Sequence, residues 1–306
     1  MAPKGATRKA SESRYVLVTG ATGKQGGSLA LLLSRRGHRV RGLTRRPDGP
    51  AAAALRQAGI EVLAGDMEDP QSVERAAQGC DVAYVLATPF EKGPEFETRM
   101  ATTAMDSARA AGVPYIVYSS VSDADRNTGI PHFESKAIAE RHLQRIGVDY
   151  AIVAPVFFME NLTTPMTTGG LAKGVLAMGL PESRKLQGVA LRDIAAFTAL
   201  AVEQRNAFRG KRINIAGDDL APTEMARQLS EAMGRKVTYQ QIPLDQLRRQ
   251  NEDVARMFEW FERVGYSADI PKLRQDYPSI GWQTFGAWVR TQDWKSILSS
   301  AVAPHS

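Results

Sequence analysis

Cysteine is nearly missing from this chain: there is one, Cys80, in 306 residues. An intrachain disulfide and a cysteine metal cluster are thereby excluded, which suits a reducing compartment. Cys80 stands ahead of an apolar strand and is expected to be a buried spacer with no redox role. Long hydrophobic runs are missing too. No stretch approaches the ~18 apolar residues of a membrane span. Residues 1–13 contain no apolar signal-peptide core and read as a polar, disordered tail. A cytoplasmic location without membrane association is expected. No metal site is expected either. There is no internal repeat, and no zinc finger, RNA-recognition motif or basic zipper.

What is present is an ordinary globular balance, 43% hydrophobic and 24% charged, with a net charge of +6 and a pI near 9.5. The placement of the positive charge argues against a nucleic-acid partner. Lys4, Arg8, Lys9 and Arg14 lie in or beside the tail. Arg35, Arg36, Arg39, Arg41, Arg45 and Arg46 gather around one helix and one strand, where a phosphate-bearing cofactor would lie.

That place is defined by Val16-Leu-Val-Thr-Gly20-Ala-Thr-Gly23-Lys-Gln-Gly26-Gly27. The apolar run Tyr15–Val18 reads as a buried strand. Leu29, Leu32 and Leu33 recur at helical spacing, and Gly37 ends the helix. Strand, glycine turn and helix together predict dinucleotide binding, with the pyrophosphate at the helix N-terminus. The spacing is G-x-x-G-x-x-G. Gly20, Thr22, Gly23, Lys24, Gln25 and Gly26 are the candidate contacts.

Strand and helix signals then alternate: strands over 38–44, 60–64, 82–87, 115–119 and 150–154, and helices over 51–58, from Asp69 to Gly79, 95–111 and 132–146. Nearly continuous apolar strands between helices predict a doubly wound parallel sheet over 14–156, of Rossmann type, with a smaller α/β substrate lobe over 157–306 partly packed back on it. In the second half, residues 161–181 are rich in Gly, Thr and Met and read as a substrate-side loop or lid. Thr223 is expected to cap a helix over 224–233. The stripe Met257, Phe258, Trp260 and Phe261 reads as core or pocket wall.

Strand ends supply the remaining candidates. Folds that bind NAD place an acid at the end of the second strand, to accept from the ribose 2′-hydroxyl. Here Thr44-Arg45-Arg46-Pro47 stands there, and arginine pairs with a 2′-phosphate, so NADP(H) is the expected cofactor. Asp66 is placed for the adenine amino group, with Met67 beside the ring. Ala87, Thr88 and Pro89 follow the fourth strand and should touch the nicotinamide ribose. Ser119 ends the fifth strand. His132 and Lys136 share a helix face. Pro155, Phe157 and Phe158 leave the sixth strand toward the cofactor. Phe90, Phe157, Phe158, Met159 and Asn161 are expected to line an apolar acceptor pocket.

Gly20–Gly27, Gly65-Asp66, His132-Phe-Glu-Ser-Lys136, Pro155-Val-Phe-Phe-Met-Glu-Asn161, Leu191-Arg-Asp-Ile-Ala195 and Gly234-Arg-Lys-Val-Thr-Tyr239 together resemble the NmrA-like family, within the atypical short-chain dehydrogenase/reductase superfamily. The resemblance covers the chain from residue 14 onward. It implies either an NADPH-dependent reductase of a small quinone or carbonyl, or a nucleotide-sensing regulator acting through a protein partner. A homodimer stays open. The chain departs from short-chain reductases at one place. Their Tyr-x-x-x-Lys is His132-x-x-x-Lys136 here, so the usual proton donor is absent. Lys136 remains as ribose ligand or acid-base group, the latter as in isoflavone-type reductases. Imidazoles in general change charge near neutral pH, which makes His132 the second candidate.

Overall fold

The computed structural model describes residues 12–302. The tail expected at 1–13 lies, but for its last two residues, outside them. Six strands and five helices alternate in the first half: β1 (Tyr15–Val18), α1 (Lys24–Arg35), β2 (Arg39–Thr44), α2 (Pro50–Gln57), β3 (Glu61–Ala64), α3 (Pro70–Ala77), β4 (Val82–Val85), α4 (Pro94–Ala110), β5 (Tyr115–Ser119), α5 (Pro131–Leu143) and β6 (Asp149–Pro155). A seventh strand, Lys211–Ile215, completes a parallel sheet. Its order runs Lys211–Ile215, β6, β5, β4, β1, β2, β3. The order reverses between β1 and β4. Ligands of such sheets bind beyond the carboxyl ends of the strands at that reversal.

Burial explains why the strands are apolar throughout. Val16, Val18, Leu29, Leu33, Tyr84 and Val117 pack on one face with the helix Leu191–Glu203. Leu17, Val73, Ala83, Val85, Ala104, Met105 and Ile116 pack on the other. Both faces are covered, as a parallel sheet requires. Asp69 caps α3 by accepting from the Gln71 amide at 3.0 Å, with Pro70 at the first helical position. Cys80 is buried, and burial pushes its thiol up to about 11.

The boundary expected at residue 156 is not a clean one. Strand Lys211–Ile215 pairs with β6 from Lys211↔Ala151 to Ile215↔Pro155, and the helix Leu191–Glu203 packs beside α1. The rest of the second half forms a lobe around Leu176, Leu180, Leu229, Phe258, Phe261 and Trp288. Two small sheets serve it. Leu186–Val189 lies between Phe157–Phe158 and Asp218–Leu220, and Val175–Met178 pairs with Thr238–Gln241.

Two expectations fail in this lobe. Residues 161–181 are not a loop. They begin in a 3₁₀ turn, Met159–Thr163, continue as the helix Pro165–Leu171 and end with the strand Val175–Met178. Pro165 opens that helix, and Leu171, Leu176, Met178 and Leu180 are buried. The glycines that suggested flexibility serve close packing. A Cβ on Gly179 would stand 2.4 Å from Leu247 Cδ1, and one on Gly170 would stand 2.9 Å from the Val175 carbonyl oxygen. Thr223 caps nothing. The helix starts two residues earlier than expected, at Pro222, and Thr223 Oγ1 donates to the Glu182 carbonyl at 3.1 Å. The aromatic stripe does go inward: Phe258 and Phe261 are buried, and Met257 and Trp260 pack against the same cluster.

Candidate functional site

Glycine makes the turn between β1 and α1 tight. Gly20 adopts φ +62°, which an L side chain rarely takes, and its carbonyl accepts from the Gly23 amide at 3.0 Å. A Cβ on Gly26 would lie 2.3 Å from the Gly20 oxygen, so only glycine lets α1 start this close to the turn. The first helical turn holds no acid, and its N-cap, Gly23, supplies no side-chain acceptor. The first amides of α1 therefore have no side-chain acceptor from the cap or the first turn, which is the condition an anion-binding helix start requires. Asp69, Asn251, Asp269 and Thr284 cap other helices, but α2, α4 and α5 also start without a side-chain cap, so it is the tight glycine turn that sets α1 apart.

The other predicted contacts sort by depth. Gly23 and Lys24 are exposed on the turn. Thr22 Oγ1 lies 3.3 Å from Thr44 Oγ1, joining the turn to the end of β2. Gln25 turns inward. Its Nε2 donates to the Tyr84 hydroxyl at 2.9 Å and to Ser119 Oγ at 2.7 Å. It thus fastens the turn to β4 and β5, and its side chain is not directed at a ligand. Arg45 and Arg46 are both exposed after β2. Arg45 is paired with Glu91, and Arg46 has no side-chain partner among the described residues. Asp66 accepts from the Glu68 amide at 3.0 Å, with half-buried Met67 beside it.

Farther along the same carboxyl edge of the sheet, at β4 and β5, Lys136 is almost enclosed. Its Nζ donates to the Ala87 carbonyl at 3.2 Å and the Ser119 carbonyl at 3.4 Å, joining the ends of β4 and β5. It also lies 2.9 Å from Glu97 Oε1. Glu97, on α4, is wholly buried, and its second oxygen accepts from Ser135 Oγ. Glu97 is the buried partner of candidate Lys136, which the motifs did not reveal. The signal was available, because Glu97 falls in register with Ala101, Ala104, Met105 and Ala108 on the inward stripe of α4. An acid on such a stripe needs a buried partner.

His132 points elsewhere. Its Nδ1 lies 2.6 Å from Asp253 Oδ1 on the lobe helix Glu252–Arg263, so the shared helix face does not bring both side chains to one point. Phe157 and Phe158 are half-buried, and Pro155 is buried at the end of β6. Met159 has to be withdrawn from the pocket wall: it is buried in the lobe core against Gly188. Phe90 is 88% exposed on the rim and Asn161 is exposed, so neither encloses an apolar ligand as the side chains stand. Among the described residues no helix is long and apolar enough to cross a membrane.

A model of the NmrA-like family matches residues 12–289. The chain belongs to the NmrA-like family. It is 29% identical over 235 residues to the NAD(P)H azoreductase of Xenophilus azovorans, covering 76% of this chain and 79% of that protein. To quinone oxidoreductase 2 of Escherichia coli it is 26% identical over 235 residues, covering 74% and 77%. Its structure matches that of NmrA, a negative transcriptional regulator crystallised with NADP, with a TM-score of 0.78 at 19% identity, over 96% and 99% of the two chains. At that identity the structural match speaks for the fold. These sequence relatives are named as reductases, which supports an oxidoreductase in general terms for this NmrA-like chain.

Proposed function

We propose that the chain binds NADP(H) and reduces a small, flat, apolar acceptor, a quinone or a conjugated carbonyl. The observation that carries this reading is Lys136. Its ammonium is fixed at the carboxyl ends of β4 and β5 by Glu97 and two carbonyl oxygens. The turn amides of α1 would hold the pyrophosphate, Arg45 and Arg46 the 2′-phosphate, Asp66 the adenine, and Ala87, Thr88, Pro89 and Ser119 the nicotinamide side. NADPH supplies a hydride when bound. Lys136 Nζ is already oriented and, by exchanging its bond to the Ala87 or Ser119 carbonyl for the ligand, would serve as ribose ligand or proton donor to the reduced acceptor. Glu97 keeps that ammonium in place. Phe157 and Phe158 offer flat, half-buried surface for the acceptor. The resemblance to an azoreductase and a quinone oxidoreductase favours this chemistry. Following NADPH consumption against a panel of quinones, enones and azo compounds tests it. Turnover with a flat acceptor is the expected result, and tight NADPH binding with no turnover on any acceptor refutes it.

One observation favours a second reading, a nucleotide sensor. His132 occupies the place of the reductase tyrosine and is engaged by Asp253 of the lobe. A sensor must bind NADP⁺ and NADPH with different affinities, since equal affinities shift no equilibrium. Calorimetric titration with both forms decides that point.

A further inference from the structure

Arg45 follows β2, and Glu91 lies between β4 and α4. In the sheet, β1 stands between those two strands, and its carboxyl end carries the glycine turn. The Arg45–Glu91 pair therefore bridges the segments that follow β2 and β4, across the carboxyl end of β1. Arg45 Nη1 donates to Glu91 Oε2 at 2.7 Å, and Nη2 donates to Oε1. Lys92, the next residue, reaches past β2 as well, to Glu68 Oε2 at 3.0 Å in the segment after β3. Each of these four side chains is about half exposed. The Arg45 guanidinium holds the Glu91 carboxyl below its ordinary range.

We propose that Glu91 is a specificity-determining residue, competing with a nucleotide 2′-phosphate for Arg45 and offering its carboxylate to a 2′-hydroxyl, so that it narrows the preference for NADP(H) over NAD(H). This rests on the reading of Arg45 as a 2′-phosphate ligand. Both terminal nitrogens of Arg45 face Glu91. A 2′-phosphate must displace that carboxylate or sit beside it, against like-charge repulsion. A 2′-hydroxyl carries no charge and can donate to the carboxylate. The acid that β2 lacks at its end is thus supplied from the segment after β4. Arg46, free of such a partner, keeps the balance on the side of the phosphate.

The test uses nucleotides without nicotinamide, so no turnover is involved. Binding of 2′,5′-ADP and of 5′-AMP is measured by calorimetry for the wild type, Glu91→Gln, Lys92→Met and Arg45→Ala. The pair is exposed, so the effect is modest: Glu91→Gln should tighten 2′,5′-ADP by about threefold to tenfold and leave 5′-AMP unchanged or weaker. Lys92→Met cuts the neighbouring ion pair without touching Glu91 and should keep the wild-type ratio. No tightening in Glu91→Gln overturns the proposal. Equal tightening in Lys92→Met overturns it too, since release of the segment would then be the cause. If Arg45→Ala leaves the ratio of the two affinities unchanged, the reading of Arg45 itself falls, which is a separate result.

Discussion

After β2 the charges are paired in water, and at the ends of β4 and β5 they are paired in the core. Arg45 and Glu91 are 50% and 52% exposed, whereas Lys136 and Glu97 are 11% and 0% exposed. The same ion-pair chemistry does different work in the two places. An exposed pair gains little and exchanges partners readily, which suits a contact that has to recognise an arriving phosphate. A buried pair cannot exchange. It holds one geometry because either partner alone would be an unpaired charge in the core. In the proposed function the exposed end would select and the enclosed end would position.

The sharpest way to break this comparison is Lys136→Met. It keeps the length and removes the charge. If Lys136 binds the ribose or moves a proton, turnover should fall by roughly 10²-fold or more. The change also leaves Glu97 buried without its cation, so unfolding free energy should drop by about 3–5 kcal/mol. Glu97→Leu added to Lys136→Met removes the orphaned acid. The double variant should regain most of the lost stability in chemical denaturation while its turnover stays low. Recovery of both would make Lys136 a structural partner of Glu97 and nothing more. Unchanged turnover in the single variant would remove it from the site.

A buried carboxylate whose cation is mostly exposed, Asp193 with Arg192 Nε at 3.4 Å, sharpens the contrast. Asp193 is wholly buried at the third position of the helix Leu191–Glu203 and accepts from the Gln283 amide at 2.7 Å. Burial raises its carboxyl from 3.8 to about 6, against the pull of that amide and of Arg192 and Arg274. The folded chain therefore binds a proton more tightly than the unfolded chain. The stabilisation is full below pH 3.8 and is lost as pH rises through about 6. The loss between those limits is on the order of 2–3 kcal/mol. Other carboxylates, such as Glu203 held low by Arg36 and His38, act in the opposite sense. The difference between wild type and Asp193→Asn isolates the effect. Relative to the wild type, the variant should gain stability from pH 4 to pH 7, read by denaturant unfolding. A constant difference would exclude it.

The two ends also differ in how far the sequence disclosed them. Periodicity reports burial along one element, and by that signal the alternating strands and helices, the glycine turn and the inward aromatics of Glu252–Arg263 were all legible. Lys136 was legible through resemblance. Periodicity does not report which element faces a charge. Glu97 broke an apolar stripe and so left a trace, but its partner lies on another helix, 39 positions along the chain from Glu97 to Lys136. Glu91 left none, since an exposed glutamate in a connection fits any partner. In the lobe, Gly170 and Gly179 read as flexible because composition cannot distinguish a glycine that bends from one that lets a neighbour in.

The smallest effect belongs to the exposed end. Replacing both Arg45 and Arg46 with alanine should weaken NADPH and leave NADH nearly untouched. A charge-assisted contact of this kind contributes about 1.5–3 kcal/mol, which corresponds to a tenfold to hundredfold preference in the wild type, on the order of one or two decades in affinity. Glu91 pulls the figure toward the lower limit. Exposure adds a signature that the buried end lacks. At about 0.1 M salt charges are screened beyond ~10 Å, and at about 1 M beyond ~3 Å. The preference for NADPH should therefore shrink as salt is raised, whereas the double variant should show little salt dependence in the same ratio. The Lys136–Glu97 pair is shielded from ions by the core, so the loss of turnover caused by Lys136→Met should be the same at both salt concentrations. Wild-type protein that binds NADH as well as NADPH at low salt would reduce the arginines to surface charge.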